Sequence, residues 1–186
     1  MGRSWWRGAA LCCAVAWACL GAPPAQPPPL SGIRAWAILL NPASPDSMGP
    51  RSLDPFDLLV VDPDAAPPLS ALRARERRVL AYLSLGEAEH YRAYWKGIQG
   101  EPWILKPNPH WEDNEIVDVR SAAWRTLILE QEVPRILAKG FDGLFLDTLD
   151  VGADLEEQGL AGAREGMLEL VRKIRERHPD LLLLSN

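Results

Sequence analysis

Four carboxylates in this chain stand at the ends of apolar runs: Asp62, Glu87, Asp118 and Asp147. Asn41 and Asn186 end two more. A charge at the end of an apolar stretch is costly to desolvate, so such a group is held where water, a partner or a substrate can reach it. Gathered at one rim, these acids would suit acid–base chemistry, with one carboxyl giving a proton and a second carboxylate attacking or activating water. Other chemistries find less material. Histidines 90, 110 and 178 are scattered, with no HxH or HExxH pair, so no metal centre is expected. None of the lysines (Lys96, Lys106, Lys139, Lys173) ends an apolar run, which argues against a Schiff-base enzyme. There is no glycine-rich phosphate loop. The cysteines all fall at positions 12, 13 and 19, so the body has neither a disulfide framework nor a cysteine-held metal. No cofactor is expected.

The elements that must carry these acids repeat one pattern. Six short apolar runs occupy residues 35–41, 56–62, 79–87, 115–118, 143–147 and 181–186, the fourth being the weakest. Continuous runs of this length suit strands buried on both faces, hence a parallel sheet. Helical signals separate most of them, over residues 69–78, 88–96, 122–139 and 160–178. Ser121 is placed to cap the third of these helices, and Pro134 to kink or split it. Met167, Leu170, Val171 and Ile174 give the fourth an apolar face. Alternation of this kind means an α/β fold, and such folds put their sites at the carboxyl ends of the strands. With 186 residues, a net charge of −5 and no basic run, the chain reads as one globular domain with no affinity for nucleic acid.

The first residues read as an address. Arg3 and Arg7 precede twelve apolar residues at 9–20, too short for a membrane span of about 20. Residues 1–22 are expected to be a signal peptide or lipoprotein leader and residues 23–32 a proline-rich linker, which leaves 33–186 as the folded part. Ala16-Trp17-Ala18-Cys19 is close to a lipoprotein box, with alanine where leucine is usual, and a lipid on Cys19 would be the only membrane attachment. The expected location is exported: secreted, periplasmic or lipid-anchored at the cell surface.

A more specific resemblance rests on a series of motifs: YLSLGEAEHYRAYW at 82–95, Pro102-Trp103, Pro109-His110-Trp111, Asp118, Trp124, and GFDGLFLDTLD at 140–150. In order and spacing this series resembles glycoside hydrolase family 114, in its bacterial and archaeal exported branch, from about residue 36 onward. The resemblance implies a (β/α)8 TIM barrel acting as an endo-α-1,4-polygalactosaminidase on an amino-sugar polysaccharide, as a monomer. About 160 residues follow the leader, against about 250 in a complete barrel, so the barrel is expected to be incomplete, with about six strands. Alone, such a chain is expected to be poorly stable and weakly active or inactive.

Glycosidic cleavage places its two carboxyls about 5–5.5 Å apart in retaining enzymes and about 6.5–9.5 Å apart in inverting ones. Asp147 leads as the catalytic residue, since it shares strand parity with Gly143 and Phe145 and matches the family's acid at that strand end. Glu87 is the second candidate, with capping of a following helix as its structural alternative; the partner acid could equally lie beyond Asn186. Asp62, Asp118, Asp150 and Asn186 are candidates for binding sugar or tuning Asp147. Tyr82 is expected inward, within reach of a catalytic carboxylate, and Trp111 as a platform for an apolar sugar face. Trp36 is expected in the core. The competing function is a non-catalytic carbohydrate-binding or surface protein on the same fold, or an inactive fragment.

Overall fold

The computed structural model describes residues 30–40, 53, 55–65, 69–73 and 77–186. The leader, Cys19 and Asn41 lie outside these residues, as do most of the first crossover and of the linker. Five strands form a parallel sheet in the order β1-β2-β3-β7-β8: β1 (Trp36–Leu39), β2 (Leu58–Val61), β3 (Arg78–Ser84), β7 (Gly143–Asp147) and β8 (Leu182–Ser185). This is an α/β fold of TIM-barrel type. Leu58, Val60, Leu80, Tyr82, Phe145 and Leu182 pack on one face of the sheet. The alternate residues, including Leu59, Val61, Val79, Ala81, Leu144 and Leu146, join a larger core with the helices. Both faces are therefore apolar, which is why the runs are continuous rather than alternating.

The helices are α1 (Leu69–Arg73), α2 (Trp95–Ile98), α3 (Ala122–Thr126), α4 (Val133–Ala138), α5 (Val151–Glu157) and α6 (Ala163–Arg177). Ser121 Oγ accepts from Trp124 N–H at 3.4 Å and caps α3. A π-helical turn at Leu127–Glu132 joins α3 to α4 just before Pro134. The proline lacks an N–H and would crowd the carbonyl four residues back, and the widened turn accommodates both effects without breaking the rod. On α6, Met167, Leu170 and Ile174 are buried as their spacing predicts.

The middle of the chain departs from expectation. Residues 115–118 do not form a strand of the parallel sheet. They fall largely in β6 (Asn114–Val117), the centre of a separate antiparallel sheet with β4 (Glu87–Glu89) and β5 (Ile104–Pro107), in the order β4-β6-β5. The run at 79–87 is split, since β3 ends at Ser84 and β4 begins at Glu87. Residues 88–96 begin as strand rather than helix, and only α2 follows. A three-residue strand carries too little periodicity to be told from a helix start, and its pairing partner lies some 27 residues on. Trp36 is also corrected. It lies on the edge strand β1 and is 59% exposed, as no further strand of the described sheet pairs beyond it.

Candidate functional site

The site begins with the exit of β7. Register pairs Tyr82 with Phe145 and Ser84 with Asp147, so Tyr82 and Asp147 share a face of neighbouring strands, offset by one pleat. Tyr82 Oη donates to Asp147 Oδ2 at 2.8 Å, and Asn186 Nδ2 donates to Oδ1 at 2.5 Å. Burial, with Glu89 and Asp147 nearby, pushes the Tyr82 phenol well above its ordinary range, so it stays a proton donor to the carboxylate. Thr148, the next residue, has φ 61°, a left-handed conformation costly for a branched residue. Its hydroxyl compensates by donating to Asp147 C=O, accepting from Gly86 N–H and sharing a hydrogen bond with Ser84 Oγ. Asp147 thus sits on a turn held from two strands.

Gly86 is the joint between the two sheets. A Cβ there would lie 2.5 Å from Thr148 C=O and 2.6 Å from Val151 Cβ, so only glycine lets the chain pass this close to the β7 exit. Beyond it β4 carries Glu87 and Glu89, both buried. Glu87 accepts from Asn108 Nδ2 at 2.6 Å and from Asn114 Nδ2 at 2.7 Å, so both carboxylate oxygens are tied to side-chain amides of the antiparallel sheet and its loops. Glu89 accepts from Arg92 Nε at 2.7 Å and from Tyr91 Oη at 2.5 Å. Burial pushes the Glu89 carboxyl up, against the opposing pull of Arg92 and Tyr91.

Arg92 is buried and clamps three acids. Besides Glu89 it reaches Asp62 (Nη2 to Oδ2, 2.8 Å) and Asp64 (Nη1 to Oδ2, 3.0 Å). Asp64 is held in turn by Arg135 and Lys139. Burial raises the Asp64 pKa, but these cations outweigh it and keep the carboxyl far below its ordinary value.

These groups enclose a cleft of about 750 Å3 lined by Asp62, Tyr82, Glu87, Trp111 and Asp147 among others. Trp111 is 68% exposed on its wall. Asn186 does not line the cleft but touches Asp147 from the neighbouring strand end. Two expected members are elsewhere. Asp118 is spent on a bidentate pair with Arg120, two residues on, which lowers its pKa and anchors a turn, so it does not line the cleft. Asp150 is exposed at the start of α5, also outside the lining. Sequence reasoning missed Asp64, Glu89, Tyr91, Glu112, Asp113, Asn114 and Thr148 as lining residues. The signal for Glu89 was present: two residues from Glu87, it shares a face with it if 87–89 is read as strand. Among the described residues no group of three or more His, Cys, Asp or Glu is placed to hold a metal ion.

A parallel α/β sheet with acids gathered beyond its strand ends defines the class: a TIM-barrel-type fold of the kind used by glycoside hydrolases. Sequence comparison then places the chain within it. Residues 18–182 match glycoside-hydrolase family GH114, and the chain belongs to that family. It is 36% identical over 175 residues to an uncharacterized protein of Deinococcus radiodurans, covering 87% of this chain and 56% of the relative. Among solved structures it is similar to the glycoside hydrolase domain of PelA from Pseudomonas aeruginosa, with TM-score 0.69, 23% identity, and coverage of 83% of this chain and 60% of that domain. It is also similar to Ega3 of Aspergillus fumigatus, solved in complex with galactosamine, with TM-score 0.64, 21% identity, and coverage of 83% and 59%. The chain therefore spans between half and two thirds of the length of these relatives.

Proposed function

We propose that this chain is the part of an exported glycoside hydrolase that binds a galactosamine-rich polysaccharide and supplies one catalytic carboxylate, Asp147. The observation that carries the reading is the placement of Asp147 at the exit of β7, oriented by Tyr82 and Asn186 at the mouth of an acid-lined cleft. Membership of GH114 and the likeness to Ega3, which was solved with galactosamine, support this substrate class. The cleft chemistry agrees with it. Among the described residues Asp62, Asp64, Glu87, Glu89, Glu112, Asp113 and Asp147 line the cavity and no lysine or arginine does, although Arg92 behind the wall offsets part of the charge of Asp62, Asp64 and Glu89. An ammonium-bearing sugar would be drawn to such a surface. In this reading Asp147 acts on the scissile bond and Trp111 carries an apolar sugar face, while Glu87 and Asp62, held by internal partners, shape the cleft wall and its negative potential. The amino-terminal segment would direct export, with a lipid on Cys19 as one form of attachment, and the protein would act as a monomer.

A second reading is favoured by a specific feature. Both oxygens of Glu87 and both of Glu89 are occupied by internal donors, so neither stands ready as a partner acid. If the exposed Glu112 and Asp113 on the cleft wall do not serve as partner acid either, a protein with this cleft would bind glycan without cutting it. Reducing-end release from partly deacetylated α-1,4-galactosamine polysaccharide, compared between the protein and its Asp147→Asn variant, separates the two. Turnover lost in the variant, with folding retained, supports catalysis. Equal release from both rejects Asp147. Binding without release by the unmodified protein selects the second reading.

A further inference from the structure

One ring in the cleft is fixed more firmly than its exposure requires. Tyr91 follows β4 and lines the cavity, yet it is 60% exposed. Its hydroxyl is pinned to the buried Glu89 by a 2.5 Å hydrogen bond. The guanidinium carbon of Arg92 lies 4.8 Å from the ring centroid and braces it. Arg92 is itself immobilised by Glu89, Asp62 and Asp64. An exposed tyrosine ordinarily keeps its rotamer freedom and loses it on binding. Here the hydroxyl and the ring are both held, although the residue remains largely exposed. The arrangement is a preorganised flat apolar surface beside acidic groups.

We propose that Tyr91 is a stacking platform for one sugar ring of the bound glycan. A galacto-configured pyranose suits it. The axial oxygen at C4, free or in the glycosidic link, projects from one face of the ring, so the C–H groups of C3, C4 and C5 form a patch on the opposite face, beside the axial anomeric oxygen, while a 2-ammonium group meets the surrounding carboxylates. A gluco-configured ring lacks that asymmetry. This inference rests on reading the cleft as a galactosamine-glycan site, and it adds a residue that distinguishes one sugar configuration from another. Tyr91 acts through its ring, with the hydroxyl serving to hold that ring still.

The test is calorimetric titration with an α-1,4-galactosamine oligosaccharide and with a glucosamine oligosaccharide of equal length. The proteins are the unmodified chain, Tyr91→Phe, Tyr91→Leu and Tyr91→Ala, with thermal melts to check folding. Phe should keep galactosamine affinity within about threefold, whereas Leu and Ala should each lose about tenfold, equivalent to about 1.4 kcal/mol. Binding of the glucosamine oligomer should be weaker and nearly insensitive to all three changes. If Leu and Ala bind the galactosamine oligomer as tightly as the unmodified chain, the platform is refuted while the glycan reading stands. An equal loss in Phe and Ala also refutes it, since the hydroxyl would then carry the effect. No binding by the folded, unmodified chain overturns both the platform and the reading on which it rests.

Discussion

Asp147 and Glu87 are both acids at strand ends in one cleft, but the two sheets treat them differently. On the parallel sheet Asp147 is half-buried and receives a phenol and one amide, both neutral donors that orient it. On the antiparallel sheet Glu87 is 4% exposed and is tied by Asn108 and Asn114, which belong to the strand and loop residues packed around it. Asp147 is presented by its surroundings, whereas Glu87 is consumed by its own. Each accepts one internal hydrogen bond per oxygen, so burial makes the difference: the buried Glu87 fixes local geometry, whereas the more open Asp147 can exchange a neutral donor for substrate. Position at a strand end therefore does not by itself separate a reacting acid from a structural one.

The largest effect that would sharpen this contrast is on turnover. Asp147→Asn should lower glycan cleavage by on the order of 10²–10⁴-fold with an unchanged melting temperature. Glu87→Gln should do the reverse. It sets an amide donor against one of the two asparagine donors, costing about 1–3 kcal/mol in stability while lowering turnover much less. A steep loss of turnover in a stable Glu87→Gln protein would erase the distinction.

Next in size is the clamp joining the two regions. Arg92→Leu leaves Asp62 and Glu89 buried without their cation and should destabilise the fold by about 3–5 kcal/mol, read from urea denaturation. Wild-type stability in that variant would mean that the antiparallel sheet docks without the ion pairs. Gly86→Ala follows. Its methyl would meet backbone and Val151 at the joint, costing about 1–3 kcal/mol and shifting the Asp147 turn, visible as a lowered melting temperature.

The smallest effect concerns pH. Asp64 has a folded pKa held well below its unfolded value of 3.8. Its contribution to stability is complete above that value and is lost as pH falls through the lower folded pKa. Glu89, pushed up by burial, has the opposite sign, and protonation relieves it as pH falls. The denaturation midpoint should therefore fall below about pH 4, and Asp64→Asn should flatten that fall. An unaltered acid limb in the variant would show that the Arg135 and Lys139 contacts are too solvent-screened to matter.

Much of the fold was legible. The runs at 35–41, 56–62, 143–147 and 181–186 all contain strands of the parallel sheet. Burial on both faces demands uninterrupted apolar residues, and few other structures do. The strand parity of Asp147 was legible for the same reason, because alternation along a strand is a local property. Residues 85–118 were not. Their strands are short, their pairing is antiparallel, and the partners that satisfy Glu87 come from 21 and 27 residues away.

The order of residues alone determined the α/β class, the cap at Ser121 and the family resemblance, since each depends on neighbours within a few positions or on a linear series of motifs. Only the tertiary structure decided which acids share a cleft. Asp118 turned to its near neighbour Arg120, while Asp62 and Glu89, 27 positions apart, met on one arginine. Burial forces a charge to find a counter-charge or hydrogen-bond donors, and which it finds depends on how segments pack, a distance that is not written along the chain.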